Sequence, residues 1–311
     1  MTRHPVLSAL GHIGLGSVGV GALIGAGALV EAQAFVLRRI EAAVLPSGSA
    51  PLKVLHISDI HLTPRQHEKL AFLRGVAALE PDLVVSTGDH LSSALAMPQL
   101  FDVLAPLLAR PGAFVFGSND FEGPHFRMPT AYLWANSTPR APTADKAIPA
   151  DKVRDHFVTA GWVDLDDARA RLEIAGHIIE LRGTGDAHVN QDHYGQVAGP
   201  ADPQADLSLG VTHAPYRRVL DAMADDGVAL ILAGHTHGGQ VCLPGGRPIV
   251  TNADIGPEYA KGLSTWTHEG HSSVLHVSAG LGSSPYAPYR LFCRPEATLL
   301  TLVSAPPKRA A

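Results

Sequence analysis

Cysteine and clustered positive charge are both scarce in this sequence. Its 311 residues include two cysteines, Cys242 and Cys293, which lie far apart in the chain and form no C-x-x-C motif. Neither a disulfide framework nor a cysteine zinc site is therefore indicated. The 24 Lys and Arg residues are scattered and outnumbered by 29 Asp and Glu residues, which gives a net charge of -5. That balance offers no basic surface to nucleic acid, so we expect no nucleic-acid partner.

Charge is absent altogether from one N-terminal segment. Residues 9–30, ALGHIGLGSVGVGALIGAGALV, contain no Asp, Glu, Lys or Arg. A transmembrane helix needs about 20 apolar residues, so we favour a single-pass anchor in the cell membrane, with either orientation open. A signal peptide cleaved near the AQA at residues 32–34, with export of the remainder, is the first alternative, and a buried soluble helix is the second. We therefore divide the chain into an anchor or signal segment, 1–34, and a folded domain, 35–311.

Histidine is abundant instead, with 17 residues, and its placement along the chain is informative. Segments 52–58, 82–87 and 113–117 have the apolar pattern of buried strands, and segments 65–80 and 97–110 that of amphipathic helices between them. This β-α-β-α-β order predicts parallel strands with right-handed crossovers. Open sheets of this kind bind ligands at the carboxyl ends of their strands.

Side chains of metal-ligand type follow each of these strands. The first strand runs into Asp59 and His61, the second into Asp89 and the third into Asn119. The intervals from 59 to 89 and from 89 to 119 are both 30 residues, which is one β-α unit. We therefore expect these side chains to project from one edge of the sheet.

The second half of the chain repeats the pattern. Segments 206–213 and 228–239 are predicted strands that run into His213 and into His235 and His237. An extended backbone would put both members of an x-spaced pair on one side, close enough to share a metal ion. A single such residue is more often a turn former or an ordinary surface residue, but seven of ligand type at five strand ends favour a metal centre. Without cysteine in the set, we expect Mn, Fe, Zn or Ni.

These motifs carry a resemblance to a known family. The DIH at 59–61, the GD at 88–89, the Asn after the third strand, the VTHAP at 211–215 and the GHTHGGQ at 234–240 resemble the signature blocks of the calcineurin-like metallophosphoesterases. Two segments, GHTHGGQVCLPGG at 234–246 and GLGSSPYAPYRLFCRPE at 280–296, resemble most the bacterial membrane-associated branch of the family. This branch includes enzymes that cleave the pyrophosphate of UDP-2,3-diacylglucosamine. The resemblance implies an α/β fold in which two mixed β-sheets pack face to face and are flanked by helices, a four-layer α/β/β/α sandwich.

The resemblance also implies a dinuclear centre of two divalent metal ions. The first ion would be held by Asp59, His61, Asp89 and His237, and the second by Asp89, Asn119, His213 and His235, with Asp89 bridging. Two ions about 3.5–4 Å apart can hold a shared hydroxide for in-line attack on phosphorus. We therefore expect hydrolysis of a phosphodiester or pyrophosphate, such as that of a lipid or cell-envelope precursor. A cyclic-nucleotide phosphodiesterase and a non-catalytic scaffold of the same fold are the alternatives.

One block departs from the family pattern. The family reads Gly-Asn-His-Asp or Gly-Asn-His-Glu where this chain has Gly117-Ser118-Asn119-Asp120. By spacing, Asn119 keeps the ligand position and Asp120 stands in place of the His near the leaving group. We therefore assign Asp120 to the catalytic site, although an aspartate with an ordinary pKa of about 3.9 is a poor proton donor at neutral pH.

A replacement acid is the first way to compensate for this departure. His188 is our choice, and His90 and His125 are further candidates. Alternatively, a phosphate or phenolate leaving group departs without protonation, and the enzyme then needs no acid.

Two loops are expected to border the site. Residues 121–150 follow the block at 117–120 that differs from the family pattern, and loops of this length are usually functional or disordered. We expect a lid with Phe126, Tyr132 and Trp134 as an apolar wall, or else a surface excursion with an aromatic in the core. Residues 280–290, GLGSSPYAPYR, form a second loop that could meet it.

Overall fold

Twelve strands in two six-stranded sheets organise the computed structural model, which describes residues 21–126 and 146–305. The strands are Val36–Leu45 (β1), Leu52–Ile57 (β2), Leu83–Ser86 (β3), Gly112–Phe114 (β4), Val163–Asp164 (β5), Arg169–Ile174 (β6), His177–Thr184 (β7), Leu207–Thr212 (β8), Leu230–Ala233 (β9), Gly262–His268 (β10), His271–Val277 (β11) and Glu296–Ser304 (β12). The helices are 21–31 (α1), His67–Ala77 (α2), Met97–Leu108 (α3), Ala150–Thr159 (α4) and Arg217–Asp225 (α5).

Both sheets are mixed. The first has the strand order β1-β12-β2-β3-β4-β5, and the second has the order β10-β11-β9-β8-β7-β6. Strands β2 to β5 pair in parallel, as do β7, β8, β9 and β11, whereas β12 runs antiparallel to β2. The predicted parallel order of β2, β3 and β4 is therefore confirmed, and the ends that carry the predicted ligands lie along one edge of each sheet.

The two sheets face each other across an apolar layer. Val54 and Val85 of the first sheet and Leu209 and Leu232 of the second are fully buried in it. Because side chains alternate along a strand, the opposite face of each sheet must also be covered. Helices α2, α3 and α4 cover the first sheet and α5 covers the second. The predicted four-layer sandwich is confirmed.

Strand β1 is an element that the sequence pattern does not predict. Its outward residues Arg38, Arg39 and Glu41 interrupt the apolar run, because this edge strand buries only part of one face. It pairs in parallel with β12, and Arg38 Nε donates to Glu296 Oε2 at 3.0 Å. Charged residues on an edge strand also discourage pairing with other chains.

The predicted membrane segment lies partly outside the described residues, which begin at 21. Its described part belongs to helix α1, whose end is attached to the domain: the Glu31 carboxylate accepts the N–H groups of Phe292 at 3.0 Å and Cys293 at 2.6 Å. Within residues 21–126 and 146–305, no helix is both long and apolar enough to cross a membrane.

Candidate metal centre

The loops after β2 and β3 deliver three of the predicted ligands side by side. Backbone pairing continues past the strand ends, because Asp59 N donates to Gly88 O and His61 N donates to Asp89 O, both at 2.9 Å. The loop after β4 adds Asn119 in a short 3-10 turn. These local contacts bring Asp59, His61, Asp89 and Asn119 together at one edge of the first sheet.

The backbone at the ligand positions is left-handed rather than extended. The φ angle is positive at five of the seven predicted ligands, namely Asp59 (48°), His61 (45°), Asp89 (54°), His235 (65°) and His237 (51°). The predicted extended geometry of the x-spaced pairs is therefore wrong. Residues other than glycine cost about 1–3 kcal/mol each in such conformations, which cluster at functional sites.

A first group of donor atoms forms around Asp59. The Nε2 atoms of His61 and His237 are 3.2 Å apart, and the Asp59 Oδ1 atom lies 3.4 Å from the His237 Nε2 and 4.0 Å from the His61 Nε2. Two nitrogen donors about 2.0–2.1 Å from one tetrahedral ion would lie roughly 3.3 Å apart. The group of Asp59, His61 and His237 therefore has the spacing of a divalent-metal site.

A second group forms around Asp89 and shares an atom with the first. The Asp89 Oδ2 atom lies 3.4 Å from His61 Nε2 and 3.6 Å from His213 Nε2. His235 Nδ1 is 3.3 Å from His213 Nε2. Asn119 donates to Asp89 through Nδ2 at 2.8 Å, and a half-turn of this amide would present its Oδ1 there instead. All seven predicted ligands are thus brought together, with Asp89 between the two groups.

Three of the imidazoles are anchored through the ring nitrogen that faces away from the cluster. The contacts are His213 Nδ1 to Thr87 O at 2.6 Å, His235 Nε2 to Asn252 O at 3.0 Å and His61 Nδ1 to Ser92 Oγ at 3.1 Å. Because a backbone carbonyl only accepts, the nitrogen facing it carries a proton, and the other nitrogen is the one directed toward the cluster. Metal-binding histidines are held in this way. No sequence motif pointed to Ser92 or Asn252.

The electrostatics of the cluster call for added positive charge. Burial raises the pKa of Asp89 to about 7, although the His213 imidazole opposes this shift. Burial would lower the pKa of His213, but the neighbouring carboxylates, Asp89 first, raise it to about 10. Burial lowers the pKa of His61 and of His235 well below the usual range, so both are neutral, the form that binds metals. A divalent cation would supply a positive charge that stabilises the buried carboxylates in their ionised form.

Two glycines make room for the cluster. A Cβ at Gly117 would collide with the Asp89 carboxylate and the His213 ring, and one at Gly234 would collide with Asp59 and the serine before it. The segments that follow β4 and β9 therefore approach the ligands with a backbone that carries no side chain at these positions.

Asp120 lies beneath the cluster. Its buried carboxylate accepts the N–H groups of Asp89 at 2.7 Å, His90 at 2.8 Å and Gly117 at 3.0 Å, and it contacts His90 Nδ1 at 2.9 Å. Burial alone would raise the pKa of Asp120, but His90 and these backbone donors lower it. Asp120 therefore joins the loops after β3 and β4 through these contacts.

Two of the candidate replacement acids are engaged elsewhere. His90 is fully buried, and its ring nitrogens contact Asp120 and the Ser86 hydroxyl, the latter at 2.7 Å. His125 Nε2 lies 2.8 Å from Glu122 Oε1 in the first loop. His90 therefore belongs to the buried frame beneath the metal groups.

His188, the preferred replacement acid, lies beside the second metal group. Its ring centroid is 4.3 Å from that of His235, and its Nδ1 lies 2.9 Å from the Tyr216 hydroxyl. The buried carboxylate of Asp186 positions this segment, since it accepts His188 N at 2.8 Å and Ser118 N at 2.9 Å. Sequence reasoning missed Asp186, although it lies in the same GTGDAH stretch as His188.

The two predicted loops meet at the border of the site. The ring centroids of Phe126 and Tyr286 are 5.9 Å apart. Phe126 is 62% exposed and Tyr286 is 43% exposed. The Lys146 ammonium lies 5.3 Å from the Tyr286 ring. Tyr132 and Trp134, the other members of the predicted apolar wall, lie outside the described residues.

The two cysteines are neighbours in space despite their separation in the chain. Both are buried and free. Cys242 Sγ lies 3.3 Å and Cys293 Sγ 3.4 Å from Gly238 O, directly behind the His237 turn. Sequence distance gave no sign of this proximity, which arises because Leu291 pairs with the segment after β9: Cys242 N donates to Leu291 O at 2.9 Å and Leu291 N donates to Gln240 O at 3.0 Å.

The sequence is similar to those of known proteins. The sequence model of the family described as calcineurin-like phosphoesterase matches residues 52–239. The phosphodiesterase YaeI of Escherichia coli is 29% identical over 283 residues, which cover 86% of this chain and 88% of YaeI. The UDP-2,3-diacylglucosamine pyrophosphatase LpxG of Chlamydia muridarum is 24% identical over 287 residues, which cover 82% of this chain and 84% of LpxG.

A mammalian relative extends the comparison. A Bos taurus protein named transmembrane protein with metallophosphoesterase domain is 28% identical over 293 residues, which cover 90% of this chain and 60% of that protein. The family match spans more than half of the 311 residues and includes all seven clustered side chains. The chain therefore belongs to the calcineurin-like phosphoesterases and is a metal-dependent phosphoester hydrolase.

Proposed function

We propose that this chain hydrolyses a phosphodiester or pyrophosphate that carries an apolar group, at a centre of two divalent metal ions. The first ion would be held by Asp59, His61, Asp89 and His237, and the second by Asp89, Asn119, His213 and His235. The donor set of carboxylate, imidazole and amide suits Mn, Fe, Zn or Ni.

The position of Asp89 carries this proposal. One buried carboxylate oxygen lies within 3.6 Å of imidazole nitrogens from both groups, at 3.4 Å from His61 and 3.6 Å from His213. A residue that served a single ion would need only one of these contacts. The shared oxygen is what a bridging ligand requires.

The residues around the centre divide the remaining work of the reaction. When bound, a pair of divalent ions activates water and neutralises charge on the phosphoryl group. His188 adjoins the second group, and its contact with the Tyr216 hydroxyl at 2.9 Å orients the ring. In our proposal His188 binds the phosphoryl group or donates a proton to the departing oxygen, while Asp120 only positions ligands.

The exposed aromatic pair favours a substrate with an apolar group. Phe126 follows the Asn119 turn, and Tyr286 follows Gly280 and Gly282, which pack against the first metal group. Lys146 beside Tyr286 adds a positive charge. An apolar surface with a cation suits a lipid-linked phosphate anion, and the name of the relative LpxG agrees with such a substrate.

Attachment to a membrane through residues 9–30 is part of the proposal. The described end of this segment exposes Leu23, Ile24, Leu29 and Val30, with 75%, 51%, 51% and 70% exposure. Exposed aliphatic side chains next to an uncharged stretch suit contact with lipid. The name of the bovine relative is consistent with such an arrangement.

The metal centre is tested by reconstitution. Metal-depleted protein is loaded with Mn²⁺ or Zn²⁺, its metal content is measured, and hydrolysis of an aryl phosphodiester is followed. Asp89→Asn should bind less metal and lose activity. The matched control, Asp102→Asn, alters a carboxylate that is 72% exposed and should behave as wild type. Wild-type protein with neither bound metal nor hydrolysis would support the non-catalytic scaffold instead.

The role of His188 is tested with leaving groups of increasing basicity. If His188 donates the proton, His188→Gln should reduce kcat/KM more strongly for alkyl esters than for aryl esters. A reduction by one constant factor for all esters would instead assign His188 to phosphoryl binding. An unchanged kcat/KM for every ester would show that His188 takes no part in the reaction.

The substrate class is tested by comparing acylated nucleoside diphosphates, short-chain pyrophosphates and cyclic nucleotides. We expect kcat/KM to rise with acyl chain length, and Phe126→Ala with Tyr286→Ala to abolish that rise while sparing the short-chain substrate. Preference for cyclic nucleotides would favour the soluble-substrate alternative.

Membrane attachment is tested by cosedimentation of the full chain with liposomes. The double variant Leu23→Asp, Ile24→Asp should reduce binding, and because both side chains are exposed we expect the folded domain to keep its stability. Binding unchanged by this variant, or no binding of wild type, would contradict the proposed attachment.

A further inference from the structure

A buried chain of hydrogen bonds leads from Asp59 into the apolar layer between the sheets. Ser58 Oγ donates to Asp59 Oδ2, and Thr87 Oγ1 donates to Ser58 Oγ at 2.6 Å. His56 Nε2 lies 3.0 Å from Thr87 Oγ1, and His56 Nδ1 lies 2.9 Å from His276 Nδ1. All five residues have zero exposure.

The donors along this chain have a single consistent direction. The Thr87 hydroxyl proton is used toward Ser58, so its oxygen must accept from His56 Nε2–H. A neutral His56 then has a bare Nδ1, which accepts from the Nδ1–H of His276. Burial lowers the pKa of His56 well below the usual range and that of His276 to about 4, so both rings are neutral. The Asp59 carboxylate is the final acceptor.

The chain of hydrogen bonds fixes which oxygen of Asp59 faces the first group of donor atoms. Oδ2 accepts from Ser58, and Oδ1 lies 3.4 Å from His237 Nε2. The backbone N–H of His235 contacts both oxygens, at 3.2 and 3.0 Å, so it does not distinguish them. Of these contacts within the described residues, the serine hydroxyl is the donor that distinguishes the two oxygens.

We propose that Ser58, Thr87, His56 and His276 form a relay of positioning residues that holds Asp59 ready to bind the first metal ion. The inference rests on the proposed ligand role of Asp59. It goes further because the relay crosses the interface: His56 belongs to β2 of the first sheet and His276 to β11 of the second. The packing of the two sheets is thereby coupled to the orientation of one ligand.

Packing of the two sheets does not by itself require these polar side chains. Polar side chains in an apolar layer cost free energy unless they are paired, and apolar residues could fill the same space. Groups that hold metal ligands typically contribute 10- to 100-fold to metal affinity. The relay should therefore be detected in metal binding.

The experiment measures Co²⁺ binding and the visible absorption of the bound ion. Thr87→Val removes the hydroxyl with little change in volume, and Thr87→Ser restores it; both keep the carbonyl that accepts from His213. Ser58→Ala is matched with Ser273→Ala, because Ser273 is also buried and its hydroxyl donates to Val228 O at 2.6 Å.

We expect Ser58→Ala and Thr87→Val to bind Co²⁺ about 10- to 100-fold more weakly, with a shifted absorption band. Thr87→Ser and Ser273→Ala should bind as wild type. Wild-type affinity in Ser58→Ala and Thr87→Val, or equal weakening in Thr87→Ser, would overturn the relay alone. Wild-type protein that binds no Co²⁺ would overturn the proposed metal centre and the relay with it.

A second measurement needs no variant. The ¹⁵N chemical shifts of the histidine rings in the wild-type protein should show His56 protonated at Nε2 and His276 protonated at Nδ1. The opposite pair of tautomers would reverse the direction of the chain and refute the relay.

Discussion

Replacing Asp120 by Asn should destabilise the protein strongly, because this carboxylate joins two ligand-bearing loops. Asp120 Oδ2 accepts from Asp89 N and Gly117 N, and Oδ1 accepts from His90 N and contacts His90 Nδ1. An asparagine has one acceptor oxygen, so two of these four donors lose their partner whichever way the amide is turned. Hydrogen bonds to a charged group contribute about 1.5–3 kcal/mol each, and we expect a loss of about 3–5 kcal/mol.

Urea denaturation of metal-depleted protein measures this loss as the difference in unfolding free energy. Asp82→Asn is the control, because Asp82 is only half-buried and its Oδ2 atom accepts one backbone N–H, that of Lys53, at 2.8 Å. Its effect should stay below about 1 kcal/mol. A loss for Asp120→Asn no larger than that of the control would refute the positioning role.

The pH dependence gives a second check on Asp120. The lowered pKa of Asp120 in the folded state means that its ionised form adds stability above the unfolded pKa of about 3.9. The gap between wild type and Asp120→Asn should therefore persist at neutral pH and shrink as the pH falls below about 3.9. Asp120→His, which the sequence alone suggests as a way to supply an acid, should lose stability and gain no activity toward alkyl esters.

Three further predictions concern other parts of the molecule. Metal at 100 times its Kd should raise the free energy of unfolding by about 2.7 kcal/mol, and a chelator should reverse this increase. A thermal melt that does not change when metal is added would show that no metal binds the folded state. Burial lowers the pKa of His276 to about 4, so between about pH 6.5 and 4 the unfolded chain binds a proton at this residue that the folded protein does not. The free energy of unfolding should therefore fall by about 3 kcal/mol as the pH drops over this range. Urea titrations of His276→Asn should show a weaker pH dependence. Both thiols should react with a disulfide reagent only after unfolding, because Cys242 and Cys293 are buried and free; rapid reaction of the native protein would contradict their burial.

The cluster of candidate metal ligands could be predicted because each of its seven members follows one of five strands within a few residues. Asp59, Asp89 and Asn119 recur at intervals of one β-α unit, and the topology of parallel strands brings such positions together without any further information. Strand β1 escaped prediction because an edge strand with charged outward residues lacks a clear apolar pattern.

The groups behind the ligands depend instead on contacts that no local pattern encodes. His56 and His276 are 220 residues apart in the chain, and their contact exists only because two sheets pack face to face. A partial signal was available, since His56 and Ser58 are two residues apart and should point to the same face of β2. The partner on the other sheet could not be identified from one sequence.

The strained loops of the candidate metal centre are accompanied by buried charged groups that hold their backbone. Five left-handed residues at about 1–3 kcal/mol each store roughly 5–15 kcal/mol, as much as the net stability of a typical domain. Apolar packing is not directional, so it constrains such conformations less than hydrogen bonds do. Ionic and backbone hydrogen bonds supply this constraint: Asp120 binds three backbone amides, and the buried Arg290 donates to His237 O at 3.4 Å and Gly280 O at 3.3 Å. It follows that ligand geometry and fold stability are set by the same few polar residues, and that changes in them should weaken both together.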